Sequence, residues 1–248
     1  MSKVEMLLVL LAFALLLVPG CVPQTDERGC STVQAELENL KAELQKTKAE
    51  LEKTRNDLAT AKSATLEELL RQRRSVREYG VGPLTREEVL SMLWAGQGIT
   101  RPPHYRTAPS AGALYPLELY VVVGNVEGIK AGVYKYDPVA NDIRLVKAGD
   151  MRRELAMAAL AQPWVEQAAV DIIVAAVYRR TKAKYGERGE RYVHIEVGHC
   201  AQNICLQATA LGLGLVTVGA FDDARVASIV GLARDEAPLY IIPVGRMK

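Results

Sequence analysis

Apolar and polar positions change rhythm several times along the chain. Met6 to Val18 is an almost unbroken apolar run, ended by Pro19-Gly20-Cys21. It is shorter than the roughly 20 residues a membrane-spanning helix needs and fits the hydrophobic core of a secretion signal over residues 1–20. A polar stretch with Pro23 and Gly29 then reads as a tether over 21–32. From 33 to 62, Leu37, Leu44, Leu51 and Leu58 recur every seven residues. With these at position a, position d holds Leu40, Thr47, Thr54 and Ala61. Position g is Glu36, Glu43, Glu50 and Asp57, and position e is Lys41, Lys48, Arg55 and Lys62. In a parallel dimer each g acid faces the e base of the partner's next heptad, so the pattern predicts a short parallel coiled coil. The same charges also suit a single solvated helix with internal pairs.

A second unit is predicted from 65 to 248. Thr65-Leu66-Glu67-Glu68 and Thr85-Arg86-Glu87-Glu88 have the form of capping boxes, each opening a helix. Gly96 to Ala113 has Gly, Pro and no period, which predicts a long loop. Strand-like runs follow at 117–123, 132–136 and 143–147, the last two joined by a turn-rich connection. Asp150 is a candidate cap for a helix through Leu160, with Pro163 beyond its end. Val170 to Tyr178 reads as one buried strand, and Arg179 to Gly189 as a charged loop. A helix from about Glu190 to Leu211, strands at 213–218 and 239–244, and a short helix at 223–230 complete the unit. Strands with interspersed helices and one early hairpin predict an α+β domain, a mostly antiparallel sheet flanked by helices.

Composition narrows the picture. The net charge of +2 over 248 residues gives no electrostatic case for nucleic acid. The four cysteines show no CxxC, so zinc has no support and no metal site is expected. Cys200 and Cys205 lie on an apolar helix and read as core thiols. Val18-Pro19-Gly20-Cys21 resembles the acylation signal of prokaryotic lipoproteins, with Cys21 as the lipidated first residue of a protein held on the extracytoplasmic face of a membrane. An uncleaved signal anchor is the alternative. Cys30, just before the heptads, could pair with its copy across a parallel dimer in an oxidising compartment.

Four blocks carry candidate chemistry. Arg73, Arg74, Ser75 and Arg77 bring three guanidiniums and a hydroxyl together, suited to a phosphate or an electron-rich ring edge. Alone, they could equally be a wet helix end. The run from Pro109 through Ser110, Ala111 and Gly112 to Pro116 is a small-residue loop that permits close backbone approach to a flat ligand. Leu211 to Asp222 is glycine-rich, but its glycines follow a helix and precede a strand, the wrong order for a dinucleotide fingerprint. Pro243-Val244-Gly245-Arg246 closes the chain. Lys184-Tyr185 sits in the charged segment. Glu196-x-x-His199 mimics half of a di-iron site, but such sites need a second copy and further carboxylates, so His194 and His199 are read as structural.

In order and spacing these blocks resemble the FMN-dependent nitroreductase superfamily, and especially its SagB-type, azoline-oxidising branch, over about 65–248. The resemblance implies a homodimer in which Arg73, Ser75 and Arg77 contact the flavin pyrimidine edge and phosphate, with Arg74 in the same cluster. It implies that the loop carrying Pro109, Ser110, Ala111 and Gly112 reaches the ring across the dimer interface. It puts a backbone N–H of the Val218, Gly219 and Ala220 loop at flavin N5, and Arg246 on the FMN phosphate. Common members often have Asn and Gln before the second proline; Ala113, Leu114 and Tyr115 stand here, as in the azoline-oxidising branch. Lys184 and Tyr185 match that branch's proton-removing pair, and Gly198-His199 with Gln202-Asn203 also resembles it. The implied activity is hydride transfer between flavin N5 and a small-molecule or peptide substrate. An NAD(P)H-dependent nitro or quinone reductase, or a non-catalytic envelope protein with a flavin fold, are the alternatives.

Overall fold

A computed structural model of the chain describes residues 38–49, 64–102 and 105–248. Its contacts divide the chain into two units, Met1–Lys62 and Ser63–Lys248. In the first, residues 38–49 are helical and exposed, with Leu40 and Leu44 left uncovered. The signal run, Cys21, Cys30 and the remaining heptads lie outside the described residues. No described helix is long and apolar enough to cross a membrane.

The second unit opens with two helices, α1 (Leu66–Gln72) and α2 (Arg86–Gln97), and both capping boxes form. Thr65 and Thr85 each accept from the backbone N–H of the Glu three residues on, and each Glu carboxylate returns the bond to the Thr backbone. A two-stranded ribbon follows, β1 (Ile99–Arg101) and β2 (Tyr105–Arg106), then a single 3-10 turn at Ala111–Ala113. The stretch predicted as loop is thus partly ordered by pairing.

The main sheet has six strands: β3 (Leu117–Val123), β4 (Gly132–Asp137), β5 (Asp142–Ala148), β6 (Val170–Ala176), β7 (Leu213–Leu215) and β8 (Ala237–Arg246). Their spatial order is β5-β4-β3-β6-β8-β7, and every neighbouring pair is antiparallel. The α+β class expected from the sequence is therefore what the chain forms. The remaining helices are α3 (Arg152–Ala158), α4 (Pro163–Gln167), α5 (Tyr178–Tyr185), α6 (Arg188–Ala210) and α7 (Asp223–Val230).

The period-2 alternation of β3 explains the layers. Leu117, Leu119, Val121 and Val123 join one core with Val89 and Met92 of α2 and Val193, Val197 and Ile204 of α6. Tyr120 and Val122 point the other way, to Leu155, Val165, Val226 and Val230 of α3, α4 and α7. Covered on both sides, β6 buries all of its residues, which is why its sequence reads as an apolar run broken only by Asp171.

Several boundaries differ from the sequence prediction; Met151 and not Asp150 is the N-cap of α3, which ends at Ala158 short of Leu160. Residues 178–185 are helix α5 rather than strand end and charged loop; Thr181 is its one buried residue, so no apolar stripe marked it. Pro163 opens α4 at its first turn, where its missing N–H costs nothing, instead of marking a stop. The predicted strand at 213–218 pairs only through Leu215, apart from an isolated bridge between Val218 and Ile241.

Candidate active site

Helix α1 ends at Arg73, and the chain runs on in extended form beside β7, with the Val76 N–H donating to the Leu215 carbonyl at 2.8 Å. Alternate side chains of such a segment face opposite ways. Arg73 and Ser75 line a cavity of about 160 Å³ with Gly198, Gln202 and Cys205 of α6 and Thr217. Arg74 and Val76 line a different hollow, with Thr209, Gly212 and Met247. Arg77 carries its guanidinium carbon 5.3 Å from the centre of the Trp164 ring. The arginine cluster is thus split across two faces.

Helix α6 supplies the opposite wall. Gly198 is exposed in mid-helix, and a methyl group added there would meet nothing within 4 Å. Glycine in a helix interior costs about 0.5–1 kcal/mol relative to alanine, so an open glycine facing a cavity leaves room for something flat to approach. Beside it, burial pushes the Cys205 thiol up to about 11 despite the Arg73 charge nearby. That thiol stays protonated near neutral pH. Beyond Thr217, Val218 bridges Ile241, and Gly219 and Ala220 emerge exposed, with open space at Gly219.

A second group assembles around the small-residue loop. Gly112 has φ of +65°, and a methyl group there would stand 2.8 Å from Tyr185 Oη and 3.0 Å from Lys184 Nζ. The pair from α5 therefore converges on the loop that carries Pro109, Ser110 and Ala111. Tyr185 also packs edge-on against Tyr192 of α6. Within the loop, the Ser110 hydroxyl accepts from the Tyr115 N–H at 2.9 Å. Ala113 and Tyr115 hold φ of 54° and 45°, in the left-handed region that non-glycine residues seldom adopt.

Close to this loop lies the Glu196 carboxyl, whose spacing to His199 only mimics half of a di-iron site. Glu196 is 2% exposed, and its Oε1 has no partner among the described residues. Burial pushes it up to about 7, against the opposing effects of the Ser110 hydroxyl and the Arg106 charge. His199, three residues on, is exposed instead, and the His194 ring is taken up by the Tyr178 hydroxyl at 2.6 Å. Arg106 itself donates to Gln97 and stacks 4.8 Å over the Tyr115 ring. These partners are far apart in sequence, so no local pattern announced them.

Arg246 is engaged elsewhere. Its guanidinium forks onto both Glu88 oxygens at 2.6 and 2.8 Å, and Nε and a terminal nitrogen both donate to the Pro83 carbonyl. The phosphate contact implied by resemblance would have to compete with that arrangement.

An antiparallel sheet between helical layers carries the candidate site, a small cavity lined by Arg73 and an open helical glycine, with a strained small-residue loop backed by Lys and Tyr. The chain belongs to the nitroreductase family, whose model matches residues 70–246. It is 50% identical over 181 residues to the nitroreductase-family protein MJ1384 of Methanocaldococcus jannaschii, an alignment spanning 73% of this chain and 90% of that protein. It is 29% identical over 153 residues to the microcin B17-processing protein McbC of Escherichia coli, spanning 55% of this chain and only 52% of McbC. Among solved structures, a nitroreductase-family protein from Ralstonia eutropha JMP134 matches with a TM-score of 0.66 and 29% identity, covering 76% of this chain and 85% of that one.

Proposed function

We propose that residues 65–248 form an FMN-dependent oxidoreductase of the SagB-type dehydrogenase kind, working as a homodimer on a small-molecule or peptide substrate. The observation that carries this is the cavity joining Arg73 and Ser75 to the open Gly198, Gln202 and Thr217. A guanidinium and a hydroxyl suit the polar edge or phosphate of a flavin, and a wall without a side chain suits its planar ring. FMN, when bound, supplies hydride exchange at its N5 position.

The chain's own residues would do the rest. Arg73 supplies positive charge beside the ring's polar edge, and the exposed Gly219–Ala220 backbone offers N–H donors. Lys184 Nζ and Tyr185 Oη, gathered at Gly112, are the groups that would take a proton from the substrate. The likeness to a microcin-processing protein supports this azoline-oxidising branch, while the 50% identity to MJ1384 favours a nitro or quinone reductase as the second reading. For the N-terminal segment we retain lipid anchorage at Cys21 and a parallel coiled coil over 33–62 as parts of the same proposal, with the protein on the extracytoplasmic face of a prokaryotic membrane.

The test is direct. The purified full-length chain should be yellow and release equimolar FMN on denaturation, and Arg73→Ala should release it more readily. A colourless chain that fails to take up added FMN overturns the proposal. Mass spectrometry of membrane-extracted protein should show a lipidated Cys21 as first residue; an intact Met1 terminus overturns that part.

A further inference from the structure

Arg180 lies on α5, one turn before Lys184. Its Nη1 donates to the Tyr115 carbonyl at 3.0 Å, and its Nη2 to Glu118 Oε1 at 2.6 Å. One planar side chain thus ties α5 to the strained loop and to the first residues of β3. Glu118 is itself anchored: its other oxygen lies 3.1 Å from Lys135 Nζ, which pairs at 2.6 Å with Glu236. Glu236 in turn accepts from the Tyr120 hydroxyl at 2.6 Å. The tie therefore ends in the sheet and not in solvent.

Tyr115 is the residue being held. Its φ is 45°, a conformation that L-residues seldom adopt and that persists only where its surroundings over-determine it. Three contacts do so: Ser110 Oγ on its N–H, Arg180 on its carbonyl and Arg106 over its ring. Gly112, three residues earlier, is where Lys184 and Tyr185 converge. The same helix thus both touches the loop with that pair and clamps it with Arg180.

We propose that Arg180 is a positioning residue, fixing Lys184 and Tyr185 against the Ser110–Pro116 loop by bridging the Tyr115 carbonyl and Glu118. This rests on the proposed role of the Lys–Tyr pair, but its geometry does not depend on a bound flavin. Arginine is required because only its fork reaches both acceptors in one plane; a lysine ammonium keeps the charge and serves one of them well.

Hydrogen–deuterium exchange of the full-length chain, read by mass spectrometry, tests the coupling. Arg180→Gln should speed exchange several-fold in both the 110–116 and 178–186 peptides, with Arg180→Lys in between. The neighbouring Arg179→Gln, which loses only an exposed pair with Asp235, should leave the 110–116 peptide unchanged. If Arg180→Gln accelerates the helix alone, or neither segment, or if Arg179→Gln moves the loop equally, the clamp is wrong. Should Arg180→Gln fail to fold, the Lys variant decides by the same two peptides. Flavin content of the same samples keeps the proposals apart. A colourless chain with coupled exchange retains the clamp and removes the flavin, whereas a yellow chain with uncoupled exchange does the reverse.

Discussion

Arg246 grips Glu88 with both terminal nitrogens, at 2.6 and 2.8 Å, and so ties the last strand to the first turn of α2. Glu88 is also the returning partner of the Thr85 capping box, accepting from the Thr85 N–H at 2.8 Å. One carboxylate therefore serves both a helix start and the end of β8. Arg246→Lys keeps the charge but loses the fork and the Pro83 contacts, and should lower stability by about 1.5–3 kcal/mol, the range for hydrogen bonds to charged groups. Urea unfolding measures this. A stability unchanged within error, with flavin retention lost, would return Arg246 to the phosphate role that the family resemblance implied.

Asp171 supplies a pH signature. It is fully buried in β6, neither carboxylate oxygen has a hydrogen-bond partner among the described residues, and burial raises it well above the ordinary aspartate range. The folded state therefore holds a proton that the unfolded state has released. Stability should fall as pH rises from the unfolded value near 4 toward the folded one, by up to about 1.4 kcal/mol per pH unit. Asp171→Asn should make that slope shallower, leaving the part that Glu196 contributes below about pH 7, and be at least as stable at pH 7. Thermal melts from pH 4 to 8 check it; parallel slopes in the two proteins would mean that Asp171 is not the titrating group.

Gly112 is the point where loop and helix meet. Gly112→Ala puts a methyl 2.8 Å from Tyr185 Oη and at a φ of +65°. The backbone strain should cost roughly 1–2 kcal/mol, while the two flexible side chain ends swing aside. Turnover by the flavin-loaded chain should fall with flavin content unchanged. A loss of flavin equal to the loss of turnover would instead make Gly112 a cofactor contact.

What the sequence made legible follows from the range of each interaction. The capping boxes are local, and both form as their spacing predicted. The buried strand β6 announced itself because both of its faces are covered. Helix α5 stayed hidden because a surface helix with only Thr181 buried has no apolar period to read. The cavity was half legible: Arg73 and Ser75 stood out as a cluster, but which of the neighbouring arginines face the cavity depends on pairing with Leu215, a residue far along the chain. Glu196 and Arg180 were missed for the same reason, since their partners lie on other elements.

Gly198 separates stability from binding most cleanly. It is exposed in the middle of α6, with open space where a side chain would go. In the ligand-free chain, Gly198→Ala should therefore stabilise by about 0.5–1 kcal/mol, because nothing obstructs the methyl and the helix gains propensity. The same methyl projects into the wall of the cavity shared with Arg73, Ser75 and Gln202. A flat ligand seated there must move away from the helix, so FMN should bind several-fold more weakly to the more stable variant. Melting temperature and flavin titration on the same sample give the two numbers. If stability rises and flavin affinity is unchanged, the ring does not lie against α6, and the cavity's glycine wall serves another contact, such as a second copy of the chain.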